Sequence, residues 1–316
     1  MTLVTLLHVI KPMTTLSLKI AIVCYKCRTS LQSCSVETGT RNASMRQRAS
    51  VVKIPFEEIV MAKEPFARGG FGVVFGAEWR KENVVVKAIM ARSEEERDDV
   101  EEETSITVCL RHPNVIKIFG ITYIKSTLFG IVMEKAEHGS LDVWIGKIDH
   151  DKLTKIALGI VDGLQYVHSQ NVIHRDIKPK NILMFGTKDD MIPKIADFGV
   201  AKLIQTFTAH TKVGQDMYMA PEVRMHLRYD FAADIFSLAM TLFELFNEQL
   251  VKEAPDEVGR FILGVHCHGG RIGQIPESYK VPMYLRNVIE RGWYVKPEER
   301  PPLSEYYSTI QGKVYF

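Results

Sequence analysis

The chain has 316 residues, of which 46% are hydrophobic, 25% charged and 9% aromatic. These values are typical of a globular protein and exclude collagen-like, low-complexity and wholly disordered chains. Lys and Arg number 40 and Asp and Glu 38, so the net charge of +2 gives no reason to expect nucleic acid as a partner. The length is sufficient for one large domain or for two lobes.

The first 50 residues differ in character from the rest. Residues 1–24 are apolar, but charged residues interrupt them before they reach the ~18 residues of a membrane span. A cleaved signal peptide is the alternative, although no basic residue precedes the apolar run. Residues 35–50 are polar and basic. We therefore expect residues 1–50 to form a flexible leader without an assigned function, and no membrane span.

The cysteines give a weak indication of compartment. The chain has five, too few and too scattered for a disulfide scaffold, which favours a reducing, cytoplasmic location. Cys24, Cys27 and Cys34, together with His8, could be zinc ligands, or the cysteines could be incidental free thiols. The absence of a second matched pair favours free thiols.

Short β-rich runs follow residue 51. Strands are predicted at 73–75, 84–89, 115–124 and 127–134 from β-branched and alternating residues. Between the second and third runs, Ser93 and Glu96 fit a capping box, and Pro113 ends the predicted helix. Helical spacing places Glu103 on the same face as the apolar Val100, so a carboxylate lies within an inward-facing stripe.

The second half is rich in helices. Apolar residues recur at helical spacing from 153 to 167, and residues 231–246 are apolar almost all round except at Asp234, Ser237 and Glu244. Such a helix is usually buried at the centre of a large domain. A β-rich first part and a helical second part predict an α+β protein with two lobes.

Two features of the β-rich part are suited to binding phosphate. The turn at Gly69, Gly70 and Gly72 allows the backbone to approach a ligand closely, although a glycine-rich hairpin without a ligand is equally compatible with it. Lys87 lies in an apolar strand fifteen residues after Gly72. A lysine that holds phosphates needs a carboxylate to position its flexible stem, and Glu103 on the next helix is the candidate.

A third motif supplies the chemistry of phosphoryl transfer. Asp176, Lys178 and Asn181 lie in one loop, and Asp197 follows Asn181 by sixteen residues. The reaction needs a carboxylate at the acceptor hydroxyl, oxygen ligands for Mg²⁺ and a cation on the γ-phosphate. Asp176 can serve as the first, Asn181 and Asp197 as the second, and Lys178 as the third.

In this order, the motifs resemble the eukaryotic protein kinase catalytic domain. The resemblance extends from about residue 54 to 311 and includes Ala220-Pro-Glu222 and Arg300. It implies a two-lobed kinase fold over 54–312, with a small antiparallel β-rich lobe carrying one helix (54–134) and a larger, mainly helical lobe (137–312). It also implies that Glu222 pairs with Arg300 and that Asp234 anchors the catalytic loop.

The resemblance implies a role for each matching residue. Asp176 would be the catalytic base, Lys87 would pair with Glu103, and ATP and Mg²⁺ would be the cofactors. The residues expected to contact ATP are Ala67, Gly69, Gly70, Phe71, Gly72, Val74, Val85, Lys87, Met133, Glu134, Ala136 and Leu183. Ala67 departs from the family pattern, since it holds the position of the first glycine.

Lys178 indicates the kinase class. Asp-x-Lys-Pro-x-Asn resembles serine/threonine kinases, and residues 137–141 and 54–56 resemble their tyrosine-kinase-like group. The implied function is transfer of the γ-phosphate of ATP to Ser and Thr of protein substrates in intracellular signalling. A nucleotide-binding pseudokinase scaffold, a tyrosine or dual-specificity kinase and a metabolic kinase of related fold are the alternatives.

The segment between Asp197 and Glu222 contains residues that predict regulation by phosphorylation. Thr206, Thr208 and Thr211 lie in it, and an upstream kinase acting on one of them would place a phosphate where Arg175 could bind it. Unregulated surface threonines are the alternative. Gln215 replaces the usual threonine of this segment in serine/threonine kinases.

Overall fold

The structure, a computed structural model, describes residues 52–69, 72–91, 93–125, 128–198, 216–225, 227–247, 275, 277 and 279–314. Several predictions concern residues outside these ranges. They involve Gly70, Phe71, Gln215, the cysteines at 24, 27 and 34, and the threonines at 206, 208 and 211.

A curled antiparallel sheet forms the first lobe. Its strands are β1 Ile59–Met61, β2 Ala67–Gly69, β3 Gly72–Trp79, β4 Glu82–Met90, β5 Ile118–Lys125 and β6 Leu128–Glu134. The strands are arranged β1-β3-β4-β6-β5, and β2 pairs with β3. Every pairing in this sheet is antiparallel. All four predicted strand regions are confirmed, with the third beginning at Ile118 instead of 115.

Strand β4 is buried on both faces. Val85 and Ile89 belong to the main hydrophobic core, whereas Val84 and Val86 pack in a second cluster on the opposite side of the sheet. This is the alternation expected of a strand, but neither face is left to solvent. Consequently β4 is a continuous apolar run, and Lys87 lies within it.

Helix α1, Glu94–Val108, packs on β5 beside the sheet. The Ser93 hydroxyl accepts the Glu96 backbone N–H at 3.1 Å, as the capping pattern predicts. Val100 and Thr107 are buried, which confirms the inward-facing stripe at those two positions.

The second lobe is mainly helical. Its helices are α2 His150–Ser169, α3 Pro221–Arg224, α4 Ala232–Phe246, α5 Met283–Gly292 and α6 Leu303–Val314. A hairpin of β7 Ile182–Gly186 and β8 Met191–Ile195 precedes α3, and the sequence patterns did not identify β8. In α4 nearly every side chain is buried, as its composition predicts. Among the described helices, none is long and apolar enough to cross a bilayer.

Candidate active site

The glycine-rich turn lies between β2 and β3, where Gly69 pairs with Gly72. Gly72 has a φ of 137°, and a Cβ there would lie 2.4 Å from the Ala88 carbonyl oxygen. Only glycine fits this conformation and this approach to β4 without a shift of the backbone. Ala67 continues the hairpin regularly opposite Val74.

Lys87 is held inside the sheet, opposite Val74 of β3 and Ile131 of β6. The residue is 8% exposed, and its Nζ donates a hydrogen bond to Asp197 Oδ1 at 2.8 Å. The two residues are 110 positions apart, so this ion pair joins the sheet to the segment after β8. Glu103, the predicted partner of Lys87, lies in α1, and its side chain is outside the described part of the structure.

The β7–β8 hairpin explains the spacing of Asn181 and Asp197. Asn181 ends a 3-10 turn immediately before β7, and Asp197 follows β8. Ile182 pairs with Ile195, and the Ala196 N–H donates to the Asn181 carbonyl at 2.8 Å. The hairpin therefore returns the chain to its starting point and places both side chains at its open end.

Asp176 accepts two hydrogen bonds on one carboxylate oxygen. Lys178 Nζ donates to Oδ2 at 2.7 Å and Asn181 Nδ2 donates to it at 2.8 Å. Asn181 also donates to the Asp176 carbonyl at 2.8 Å. The Asp176 side chain is 22% exposed. Three of the predicted site residues therefore form one hydrogen-bonded group.

The buried His174 ring makes hydrogen-bond contacts with this loop and with the segment after β8. Burial lowers its pKa below 6.5, although the charges of Asp234, Asp176 and Asp197 oppose the shift. Nδ1 accepts the Asp176 N–H at 3.2 Å, and Nε2 lies 2.9 Å from the Ala196 carbonyl, which can only accept. The ring is therefore neutral and protonated on Nε2.

Asp234 of helix α4 anchors the loop, as the resemblance implied. Its carboxylate accepts the backbone N–H groups of His174 and Arg175 at 2.7 Å each and contacts His168 Nε2 at 2.9 Å. Arg175 has a φ of 71°, a conformation that costs free energy outside glycine. These hydrogen bonds, donated to a fully buried carboxylate, hold the strained loop in place.

Five of the residues expected to contact ATP belong to the same apolar cluster. Val85 and Met133 are buried in the core and pair across β4 and β6. Val74, Ala136 and Leu183 are partly buried against that core. Leu183 is also linked to the segment after β6 through a bridge with Ser140.

Glu134 makes contacts that the sequence analysis missed. Its carboxylate receives Lys194 Nζ at 2.8 Å on both oxygens and the Lys117 N–H at 2.7 Å. The Glu134–Lys194 ion pair joins the end of β6 to β8. Lys194 could have been noticed as a charge within the apolar run of residues 191–195, but no sequence signal connects it to Glu134.

Two contacts hold the segment around Ala220. Arg300 forms a bidentate ion pair with Glu222, at 2.6 and 2.8 Å, which confirms the predicted pairing. The Tyr218 hydroxyl donates a hydrogen bond to Glu244, which was not predicted. Burial raises the pKa of both Tyr218 and Glu244, so at neutral pH the phenol keeps its proton for this hydrogen bond.

Comparison with known proteins is consistent with this geometry. The chain is 31% identical over 261 residues to the serine/threonine-protein kinase VIK of Arabidopsis thaliana, covering 77% of this chain and 58% of that protein. It is 34% identical over 267 residues to mitogen-activated protein kinase kinase kinase 7 of Bos taurus, covering 79% and 44%.

A third relative is the probable serine/threonine-protein kinase gdt4 of Dictyostelium discoideum, 33% identical over 219 residues, with coverage of 66% of this chain and 13% of that protein. The chain thus spans between about an eighth and three-fifths of the length of these relatives. The family described as "Protein kinase domain" matches residues 62–309. Because the family match covers most of its length, the chain belongs to the protein kinase domain family.

Proposed function

We propose that the chain is a serine/threonine protein kinase that transfers the γ-phosphate of ATP to protein hydroxyls. The observation that carries the proposal is that two groups of predicted site residues meet. Asp176 is hydrogen-bonded to Lys178 and Asn181, Lys87 is ion-paired with Asp197, and the Ala196 N–H donates to the Asn181 carbonyl between the two groups. Asp176 would accept the proton of the acceptor hydroxyl. Its carboxylate is oriented for this role by two hydrogen bonds on one oxygen.

The residues at the hairpin end fit Mg²⁺. The ion prefers oxygen ligands and is often held by one or two side chains together with substrate phosphates and water. Asp197 and Asn181 offer a carboxylate and an amide oxygen, and no group of three or more His, Cys, Asp or Glu side chains in the described residues could hold a metal alone. Bound there with ATP, the ion would neutralise phosphate charge, and Lys87, whose Nζ is 2.8 Å from Asp197, would contact phosphate oxygens.

Lys178 supports the choice of serine or threonine as acceptor. Its Nζ lies 2.7 Å from Asp176, so a cation is present beside the proposed base, where a transferring phosphate carries negative charge. We further propose that the kinase domain occupies residues 54–312. Ile54 supports the first limit, because its N–H pairs with Ile121 of β5.

Phosphate transfer from radiolabelled ATP to dephosphorylated casein, with Mg²⁺ and phosphoamino-acid analysis, tests the proposal. We expect phosphoserine or phosphothreonine from the wild type and at least about a hundredfold loss of kcat in Asp176→Asn. Asp189→Asn is the matched control, because the Asp189 side chain is 98% exposed on the β7–β8 turn. Phosphotyrosine would contradict the role of Lys178. Nucleotide binding without transfer, by protein whose segment between Asp197 and Glu222 is phosphorylated, would indicate a scaffold.

We also propose that phosphorylation of Thr206, Thr208 or Thr211 by an upstream kinase activates the enzyme. Arg175 supports this, because it adjoins Asp176 and a guanidinium binds phosphate through two hydrogen bonds. Replacing all three threonines by Ala should prevent activation by phosphorylation. Full activity of that variant would contradict the proposal.

A further inference from the structure

The chain shortly before β1 extends the first sheet at its edge. Strand β5 is the last in the order β1-β3-β4-β6-β5, so its outer side presents backbone N–H and C=O groups that need partners. Residues 52–54 lie along this side in parallel, with Lys53 opposite Ile121. The Ile54 N–H donates to the Ile121 carbonyl at 2.7 Å, and the Ile121 N–H donates to the Val52 carbonyl at 2.9 Å. We call residues 52–54 the edge clasp.

Gly120 is the position on β5 that receives the edge clasp. A Cβ on Gly120 would lie 2.2 Å from the Val52 carbonyl oxygen and 3.1 Å from the carbonyl carbon. A glycine within a strand often marks such a close approach of another backbone, because any side chain would prevent it. The clasp is also held by Ile54, which is 4% exposed and belongs to the second hydrophobic cluster, with Ile59 and Val132.

Lys53 links the edge clasp to helix α1. Its Nζ lies 3.5 Å from Glu101 Oε2 on α1 and 5.2 Å from the centroid of the Tyr123 ring on β5. The Tyr123 hydroxyl donates a hydrogen bond to the Glu101 carboxylate, and Arg97 Nε lies 3.9 Å from it. The Glu101 side chain is 20% exposed, so salt screens its charge less than on the open surface. One carboxylate of α1 is therefore contacted from the clasp, from β5 and from α1 itself.

The position of α1 bears on nucleotide binding. Glu103, the predicted partner of Lys87, follows Glu101 by two residues on this helix. Lys87 lies in β4, and its Nζ is 2.8 Å from Asp197. The flexible stem of a lysine does not position its ammonium group, so neighbouring carboxylates must do so. A change in the position of α1 would therefore change how Lys87 is presented to phosphate oxygens.

We propose that the edge clasp positions α1 for ATP binding, and that Lys53 and Gly120 are positioning residues of the kinase reaction. The proposal rests on the proposed kinase function. Release of the clasp allows α1 to leave the competent position, and ATP then binds only to the fraction of molecules in which the helix is in place. The apparent affinity for ATP falls by that fraction. Saturating ATP restores the competent state, so KM for ATP should rise while kcat stays unchanged.

The first variant, Gly120→Ala, acts on the backbone of the edge clasp. Its new Cβ displaces the Val52 carbonyl and with it the hydrogen bond from Ile121. Gly76→Ala is the matched control, because Gly76 lies in β3 of the same sheet and a Cβ there meets no atom within 4 Å.

The second variant, Lys53→Glu, acts on the charge of the edge clasp, since it places a carboxylate beside Glu101. The double variant Lys53→Glu/Glu101→Lys restores the attraction with the charges exchanged. Arg80→Glu is the matched control. Arg80 pairs with Glu58 at 3.6 Å, and its side chain is 69% exposed against 62% for Lys53, but its ion pair does not involve α1.

Two measurements test the proposal in the full chain. The Kd of trinitrophenyl-ATP with Mg²⁺ is measured by fluorescence, and hydrogen–deuterium exchange of residues 94–108 is measured without nucleotide. Gly120→Ala should raise the Kd and KM for ATP at least about fivefold, which means that about one molecule in five is competent, and should speed exchange in α1. KM for a short acceptor peptide should not change. A mere loss of folded enzyme would lower the maximal rate and leave KM for ATP as it is.

The charge variants should show a smaller effect of the same kind. We expect Lys53→Glu to raise the Kd for the nucleotide about two- to fivefold, the range of an exposed ion pair. The double variant should bind it about as tightly as the wild type. Arg80→Glu should leave both the Kd and the exchange of α1 unchanged.

Three results would overturn the proposal. The first is equal nucleotide binding by Gly120→Ala and Gly76→Ala. The second is weaker binding without faster exchange in α1, because the effect would then not pass through the helix. The third is an equal loss in Lys53→Glu and Arg80→Glu, or no recovery in the double variant. Should Gly120→Ala not fold, the charge variants decide the question alone.

Failure of the proposed function gives a different result. A wild type that binds nucleotide but transfers no phosphate, even with its segment between Asp197 and Glu222 phosphorylated, would refute the kinase function. The nucleotide Kd and the exchange of α1 would still show whether the edge clasp positions the helix.

Discussion

Replacing Arg300 by Met should destabilise the protein strongly. The Arg300 side chain is fully buried and that of Glu222 is 6% exposed, so the substitution leaves a carboxylate in the interior without its cation. Breaking a buried ion pair in this way costs about 3–5 kcal/mol in the free energy of unfolding. A folded domain has only about 5–15 kcal/mol in total, so the loss should shift a denaturation midpoint clearly.

The double variant Arg300→Met/Glu222→Leu makes this estimate testable. It removes both charges, so the uncompensated carboxylate disappears. What remains is the loss of the Arg300 hydrogen bonds to three carbonyls, those of Ala232 and Tyr294 at 2.8 Å each and that of Val295 at 3.4 Å. At about 1 kcal/mol for each hydrogen bond, the double variant should lose about 2–3 kcal/mol. It should therefore be more stable than the single variant.

Equilibrium unfolding in guanidinium chloride, followed by circular dichroism, measures both variants. Lys296→Met is the control, because Lys296 pairs with Glu299 at 2.9 Å on the surface, where the side chains are 67% and 49% exposed. We expect no measurable change in that variant, since exposed ion pairs contribute little. A double variant as unstable as Arg300→Met, or more so, would refute the reasoning.

Two further predictions concern the site. Gly72→Ala should lower the free energy of unfolding by at least about 2 kcal/mol and raise KM for ATP, because the new Cβ meets the Ala88 carbonyl at 2.4 Å and φ is 137°. His174 is neutral when folded, so between its lowered pKa and 6.5 the unfolded chain binds the extra proton. Stability therefore falls as pH decreases below 6.5, by up to about 1.4 kcal/mol per pH unit, and His174→Gln should lack this component.

Urea unfolding checks both predictions. Gly76→Ala is the control for the first, because a Cβ there meets no atom within 4 Å, and we expect a change within about 0.5 kcal/mol. Equal losses at positions 72 and 76 would contradict the steric argument. For the second, wild type and His174→Gln are compared at several pH values between 5 and 7.5, and parallel curves would show that His174 does not titrate on unfolding.

Asp234 shows which part of the site could be predicted from the sequence and which part needed the structure. Its helix, apolar almost all round, predicted burial, and the resemblance implied that Asp234 anchors the catalytic loop. The structure adds that it accepts two backbone N–H groups of a loop whose Arg175 has a positive φ. A single buried acid thus stabilises a strained conformation, and that relation is visible only when both elements are in position.

The sequence by itself determined the local elements and the identity of the chemical groups. Strand alternation at 84–89, the cap at Ser93 and the apolar helix at 231–246 are local properties, because they depend on residues within a few positions of each other. The order and spacing of the motifs likewise identified Asp176, Lys178, Asn181 and Asp197 as candidate site residues.

Tertiary structure alone decided which groups meet. Lys87 contacts Asp197 across 110 positions, Glu134 pairs with Lys194 across 60, and Tyr218 donates to Glu244 across 26. No periodicity encodes such pairs, because the two partners belong to elements that are far apart in the sequence. The exposure of Leu227 and Arg228 also depends on the tertiary structure, because a side chain stays on the surface only where no other part of the chain covers it.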